Sequence, residues 1–290
     1  MFKVKKNLHW NVWDVIIHTL LIIFALLAIY PVVYTIAGSL SDGEDYSYGG
    51  IWIIPRKFTF DNYAAVLKDI LFWTSLGNTV VRTLIGTITG LLFTSFVSYS
   101  MSRPNLPFKK FFRMANLITL FFSGGLIPYY LVISLIGLYD SWLVYIIPSM
   151  YSVYNMIVIS NFFKNSIPEE IHESAVMDGA MEIGIWFRFY LPLAKPVLAT
   201  VGLWIAVGHW NSYIQTLMYT SRSENMWTLQ YYLMRVIQDS VIPEGGNTES
   251  ITPQTITFAT MIVSIIPIVC VYPFLQKHFA KGAVMGSLKG

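Results

Sequence analysis

Six runs of about twenty mostly apolar residues divide this chain, the length an α-helix needs to cross the hydrocarbon core of a bilayer. They lie at roughly 14–37, 72–100, 111–133, 142–163, 197–219 and 254–276. Charged residues are only 12% of the 290, against about 25% in a soluble domain. Half the usual charge cannot clothe a water-facing surface at this size. Aromatic residues reach 16%, which suits Trp and Tyr anchored at lipid headgroups. The expectation is an all-α polytopic membrane protein with six transmembrane helices. One membrane domain spans 14–280, after a short 1–13 segment and before a tail at 281–290.

The runs differ in character. Lys3, Lys5 and Lys6 precede the first as in a signal peptide. The stretch from Val15 to Ala37 is too long for a signal core, and no convincing small-residue cleavage site follows, so it reads as a retained helix. Asp14 sits at its entrance. The second run spans with tilt to spare. The third is interrupted by Ser123-Gly124-Gly125 and Pro128; a helix broken beside a pathway and a simple kink both fit. Cys270, the one cysteine, lies inside the last run and reads as a buried, inert thiol.

Six spans put both termini on one side, and Lys and Arg choose it. Thirteen basic residues fall on the terminal side: Lys3, Lys5, Lys6, Arg103, Lys109, Lys110, Arg113, Lys164, Arg188, Lys195, Lys277, Lys281 and Lys289. Five fall opposite: Arg56, Lys57, Lys68, Arg222 and Arg235. Both termini are therefore expected in the cytoplasm. The outer loops are then 38–71, 134–141 and 220–253, with room for short elements; Thr228–Gln238 reads as an amphipathic helix, and Pro243, Gly245 and Gly246 as loop.

Catalytic chemistry finds no support. There is no G-x-x-x-x-G-K-[ST] phosphate loop, no G-x-S-x-G elbow, and His172-Glu173 lacks the second His of a zinc motif. Metal ligands and nucleic-acid binding are not expected. Charges within the spans are few, and a proton- or ion-coupled transporter would need more buried acids than these, which argues against secondary transport. Arg82 lies about one turn into the second span, either as a functional intramembrane charge or as a side chain snorkelling outward. Gly86 and Gly90 form G-x-x-x-G, a close-packing device. Tyr151 and Asn155 in the fourth span, with Trp210, Asn211 and Tyr213 in the fifth, are candidate substrate-pathway residues; His209, Gln215 and Tyr154 stand beside them. Such groups stack on sugar rings or bond between helices.

The loop between spans four and five, 164–195, carries the most information. Ser166 and Glu169 fit a capping box, and Pro168 suits a first turn. Asp178-Gly179 then breaks the helix. A second helical turn follows with Ile183, Trp186 and Phe187 as its apolar face, Leu191-Pro192 ends it, and Lys195-Pro196 starts the fifth span. The acids Glu169, Glu170, Glu173, Asp178 and Glu182 disfavour contact with anionic lipid. They suit a docking surface for a cytoplasmic protein.

Glu173-Ser174-Ala175, Gly179, Phe189 and Leu191-Pro192 stand at the spacing of Glu-Ala-Ala, three residues, Gly, nine residues, Ile, one residue, Leu-Pro. The loop thus resembles the signature of bacterial ABC importer permeases, departing mildly at Ser174 and Phe189. Phe58-Thr-Phe-Asp-Asn-Tyr63, Asn78-Thr79, Ser98-Tyr-Ser-Met-Ser-Arg103, Trp210-Asn211 and the tail from Lys281 resemble the carbohydrate, MalG-like branch. Phe122-Ser-Gly-Gly-Leu-Ile-Pro128 and Tyr272-Pro-Phe-Leu-Gln-Lys277 resemble its LplC/YtcP-type subgroup, associated with oligosaccharides and polysaccharide fragments. The resemblance implies a type I (MetI-like) fold in the bacterial cell membrane. It implies a second permease as heterodimer partner, two cytoplasmic ATPase subunits and an extracytoplasmic solute-binding protein. ATP and Mg would be bound by those ATPases, and this chain would hold no cofactor. Glu173, Ala175, Asp178, Gly179, Ala180, Leu191 and Pro192 would couple to an ATPase. The tail and the 220–253 loop would approach the ATPases and the binding protein. A same-fold permease for amino acids, peptides or phosphate is the alternative; so, in another class, is a membrane scaffold.

Overall fold

The structure is a computed structural model that describes the backbone of residues 11–239 and 251–287, and side chains of 11–238 and 251–270. The expectations placed on Lys3, Lys5 and Lys6, on Pro243, Gly245 and Gly246, and on side chains beyond Cys270 lie outside the described residues. All regular elements among the described residues are helical; the sole strand-like pairing is a bridge between Ser41 and Phe58.

The elements are α1 (Val12–Ser39), α2 (Gly43–Ser47), α3 (Asp61–Lys68), α4 (Ile70–Ser102), α5 (Lys109–Phe121), α6 (Leu126–Leu135), α7 (Val153–Ser166), α8 (Glu169–Met177), α9 (Glu182–Ile185), α10 (Leu191–Leu193), α11 (Lys195–Asn211), α12 (Leu229–Asp239) and α13 (Pro253–Ser287). Three helical stretches, Val12–Ser39, Ile70–Ser102 and Pro253–Cys270, are each long and apolar enough to cross a membrane. Three bent pairs raise the number to six. The third span breaks by 120° between α5 and α6, so the Ser123–Gly125 interruption is a break and not a kink. Gly125, at φ +87°, makes the turn. The fourth opens with short 3₁₀ turns at Trp142–Tyr145 and Ile147–Ser149 and bends by 45° into α7. The run Glu182–Leu193 meets α11 at 88°, so it lies across the axis of the fifth span.

The chain forms two compact units. One gathers the residues up to Asp69 with Val236–Ser264; the other runs from Ile70 to Arg235 and takes in the chain from Ile265. In the first, Asn11 and Asp14 make a reciprocal capping box that starts α1, which gives the entrance acid its role. The apolar window of α1 is 0% buried, as befits a helix facing lipid or a partner. Asn62 Nδ2 donates to the carbonyls of Ser39 at 3.1 Å and Ser41 at 2.8 Å, and its Oδ1 accepts from Thr255 at 2.8 Å. The loop between α1 and α3 is closed at its base by the Lys57–Asp42 ion pair at 2.8 Å, while Asp42 also caps α2.

In the second unit α4 is the central post. It packs against α7 and α11, with Gly86 and Gly90 at close approaches. A Cβ on Gly86 would stand 2.3 Å from His209 Nε2, whereas the nearest atom at Gly90, the Ser149 carbonyl oxygen, is 3.5 Å away. Asn78 donates to the carbonyls of Asn225 and Trp227 at 2.7 and 3.0 Å, and Thr79 accepts from the Leu229 amide at 2.8 Å. These bonds seat the start of α12 on α4, and α12 is the expected amphipathic helix.

Cys270 departs from expectation: it is exposed. A run apolar on every side carries no period to say which face turns inward, and this residue lies on the outward one.

Candidate functional site

The signature loop folds as a hairpin of α8 against α9 and the turns that follow. The helix α8 does not begin with the expected capping box. Ser166 is absorbed into the last turn of α7, Ile167 ends that helix, and Pro168 stands at the N-cap of α8 with no side-chain bond. The acids Glu169 and Glu170 still occupy the first turn, where the helix dipole favours them. At the other end the chain makes a Schellman turn. The Ala180 amide donates to the Ala175 carbonyl at 3.0 Å, and the Gly179 amide to the Val176 carbonyl at 2.9 Å. Gly179 holds φ at +76° with open space around a would-be Cβ. Backbone conformation is therefore what demands glycine here.

The signature residues divide by direction. Ala175 is buried in a cluster with Ile159, Phe163, Ile185, Tyr190 and Ala194, and Ala180 packs against it. Their small side chains let α8 and α9 close. Glu173 and Asp178 are exposed, as are Val176, Met177 and Met181 around the tip. Two grooves flank α8. One, of about 770 Å³, is lined by Glu173, Met177 and Ile183; the other, of about 360 Å³, by Glu170, Asp178 and Phe189.

The expected apolar face of the second arm holds only at Trp186, which packs half-buried against the core; Ile183 and Phe187 are exposed, while Ile185 and Tyr190 face inward. The backbone widens to a π-turn over Trp186–Tyr190. A 3.6-residue period assigned across that segment slips out of register. π-Turns recur at functional sites. Leu191 and Pro192 lie within α10 and do not end the arm; the break falls at Ala194, before Lys195-Pro196 opens α11.

A polar ring absent from the sequence reading ties the hairpin's base to the last turns of α4. Arg103, buried, donates to Glu169 Oε1 at 2.9 Å and to the Tyr190 hydroxyl at 2.7 Å. Its guanidinium lies 5.2 Å from the Tyr99 ring centroid and 4.9 Å from that of Tyr190, within cation–π range. Tyr99 donates through its hydroxyl to Glu182, which also meets His172 Nε2 at 3.2 Å. The ring joins α4 to both arms and leaves the tip free. Its sequence signal was Tyr99 in the last turn of α4 and Arg103 just past its end, four residues on.

Arg82 does not snorkel. It is 1% exposed. It donates to His209 Nδ1 at 3.4 Å, to the Ser212 carbonyl at 3.2 Å and to the Gln215 side chain, and it lies 4.6 Å from the Tyr145 ring centroid. Because Arg82 can only donate, His209 Nδ1 accepts, and its proton sits on Nε2 against Gly86. The carbonyl freed where α11 unwinds at Ser212 is thus satisfied by a cation from α4.

The candidate pathway residues are distributed. Tyr151 donates to Asn116 and lines a cavity of about 520 Å³ with it and Tyr154. Asn155 is buried one turn along α7. Trp210 is buried with its indole N–H unpartnered, and Asn211 and Tyr213 are exposed at the end of α11.

The family described as "Binding-protein-dependent transport system inner membrane component" matches residues 76–284. The chain is similar to the polygalacturonan/rhamnogalacturonan transport system permease protein YtcP of Bacillus subtilis, 37% identical over 97% of this chain and 99% of that one. It is similar to protein LplC of the same organism, 38% identical over 91% and 90%. Among solved structures it resembles a chain of a bacterial ABC transporter involved in the import of the acidic polysaccharide alginate, with a TM-score of 0.86 and 35% identity over 92% and 96%.

Proposed function

The chain belongs to the family of binding-protein-dependent transport system inner membrane components, and from that premise we propose how it works. It is a transmembrane permease subunit of an ATP-driven importer. Its cargo is an oligosaccharide or a polysaccharide fragment, a reading supported by what its relatives are named for carrying. The hairpin Glu169–Pro192 docks into a cytoplasmic ATPase. The observation that carries this is the shape of the hairpin: a tip of exposed side chains on a glycine turn, flanked by grooves, and clamped at its base to a membrane-spanning helix. Such a device moves as a lever. A body that grips Glu173, Met177 and Asp178 pulls on α4 through Arg103, Tyr99 and Tyr190.

Two ATPase subunits, a second permease and a binding protein outside the membrane complete the machine. Both termini of this chain lie in the cytoplasm, as the excess of Lys and Arg dictates. ATP closes the ATPases and drives the spans from inward-open to outward-open. The loaded binding protein favours the outward state. Each contributes the difference in affinity between states that a shift requires. Tyr151, Asn155, Trp210, Asn211 and Tyr213 offer aromatic faces and amides to a sugar along the path.

The test is to purify the tagged chain gently from its membrane and identify its companions. A second six-span permease with a Walker-type ATPase is the expected result. A stable chain with no ATPase in any preparation would refute the reading.

A further inference from the structure

We propose that the cavity between α5 and α7 is a binding site for the phosphate headgroup of an anionic phospholipid. Arg113, in the first half of α5, and Lys164, near the end of α7, both line a cavity of about 360 Å³. No carboxylate among the described residues pairs with either. The segment 102–113 contains no acid, and the one neighbouring cation with an acidic partner is Arg103, held by Glu169. Lys164 feels the charge of Arg113, and Lys109 feels both. Like charges gathered at one place repel unless an anion sits among them.

The walls decide which anion. Met101, Leu117, Met156 and Ile157 line the same cavity as the cations, and Asn116, Ser160 and Asn161 add polar groups. Two cations and a set of apolar side chains in one cavity between two membrane helices match a phosphate ester carrying an acyl chain, its headgroup oxygens taken by the cations and amides. A hydrated sugar or free phosphate makes no use of the apolar wall. Arg offers a planar fork to the phosphate oxygens and Lys a point charge. Basic pockets between helices on the cytoplasmic side hold lipid headgroups in this way. The proposal rests on the membrane spans and not on the coupling hairpin.

The experiment places the assembled complex in phosphatidylcholine vesicles with phosphatidylglycerol and measures which lipid stays bound after gentle extraction. The native chain should retain phosphatidylglycerol over phosphatidylcholine. Replacing both cations, Arg113→Gln with Lys164→Gln, should weaken that retention about thirtyfold, at roughly fivefold per charge. If the double variant does not assemble, each single variant should show its fivefold loss. Lys110→Gln, an equal charge loss on an exposed residue outside the cavity, should change nothing, and Arg113→Lys with Lys164→Arg should keep the lipid. Equal retention of both lipids by the native chain would overturn the proposal. So would a loss in Lys110→Gln as large as in either single variant, which would mean unspecific surface charge. Displacement of the lipid by inorganic phosphate would make the occupant a soluble anion and overturn it too.

Discussion

Replacing Gly179 separates backbone strain from steric blockage at the hairpin tip. The residue holds φ at +76° and closes a Schellman turn, yet a Cβ there would meet nothing within 4 Å. Within this chain any substitution therefore acts through conformation alone. A non-glycine residue in the left-handed region is disfavoured by about 1–2 kcal/mol, least for Asn and most for β-branched side chains. The base of the hairpin is held by Arg103, Glu169, Tyr99 and Glu182, so the strain gathers in the tip. If the tip is what the ATPase grips, the docking-competent conformer should fall about fivefold for Ala and about thirtyfold for Val. Asn should lie near the native chain. The assay is titration of the ATPase onto the permease in nanodiscs, with the inserted amount as control; insertion should not change. Equal docking by the Asn and Val variants, or unchanged docking by Val, would refute the argument. An order following side-chain volume, with Asn worse than Ala, would mean that crowding in the ATPase cleft dominates.

Arg103→Gln should lower the thermal stability of the solubilised chain more than Glu169→Gln, because Arg103 is buried and loses two donated bonds and two ring contacts. Glu169 is 47% exposed at its side chain and its share is about 1 kcal/mol or less. Gly86→Ala should destabilise by about 1–3 kcal/mol, since its methyl collides with His209, and Gly90→Ala should be tolerated; thermal unfolding of the two variants side by side checks this. In the outer loop the Lys57 ammonium holds the Asp42 carboxyl below its ordinary value of 3.8, against the upward push of burial. A carboxylate with a depressed folded pKa adds stability that is fully present above the unfolded value and is lost as pH falls through the folded one. The loop should therefore stay closed down to about pH 4 and open below it. Lys57→Gln should move that opening to higher pH, as read from hydrogen exchange of the Asp42 and Thr59 amides, which donate to the Lys57 and Leu40 carbonyls at 3.0 and 2.9 Å.

Much of this architecture was legible because a membrane imposes length. Spans one, two and six stand as unbroken helices, and the breaks in the third and at Asp178-Gly179 fall where Gly and Asp announced them. Local signals failed where they competed. Ser166 had the spacing of a cap, but the preceding helix claimed it first. Ile183, Trp186 and Phe187 had helical spacing, but Trp186 alone of the three packs toward the core, and the π-turn that begins there carries Phe187 outward and Tyr190 inward. Cys270 sits in a run with no polar face to fix its direction. Arg82 and Arg103 were both visible as charges, yet their partners lie far away in sequence: His209, Ser212 and Gln215 for the first, Glu169 and Tyr190 for the second. Pairings of that range are a property of packing, and one sequence does not contain them. The same holds for Tyr151 and Trp210, whose chemistry suits sugars but whose surroundings, a cavity shared with Asn116 for the first and a buried seat for the second, are set by packing.

An ATPase that grips the exposed tip of the hairpin comes within bonding reach of a cysteine placed there, so cross-linking reads the contact. Cys270 is the one native cysteine, so Cys270→Ser gives a clean background for Asp178→Cys at the tip and Tyr48→Cys in the outer loop. An adduct between this chain and the ATPase is expected from position 178, with a yield that changes on adding ATP, and none from position 48. An intact complex that yields no adduct from position 178, or equal adducts from both positions, would contradict the grip.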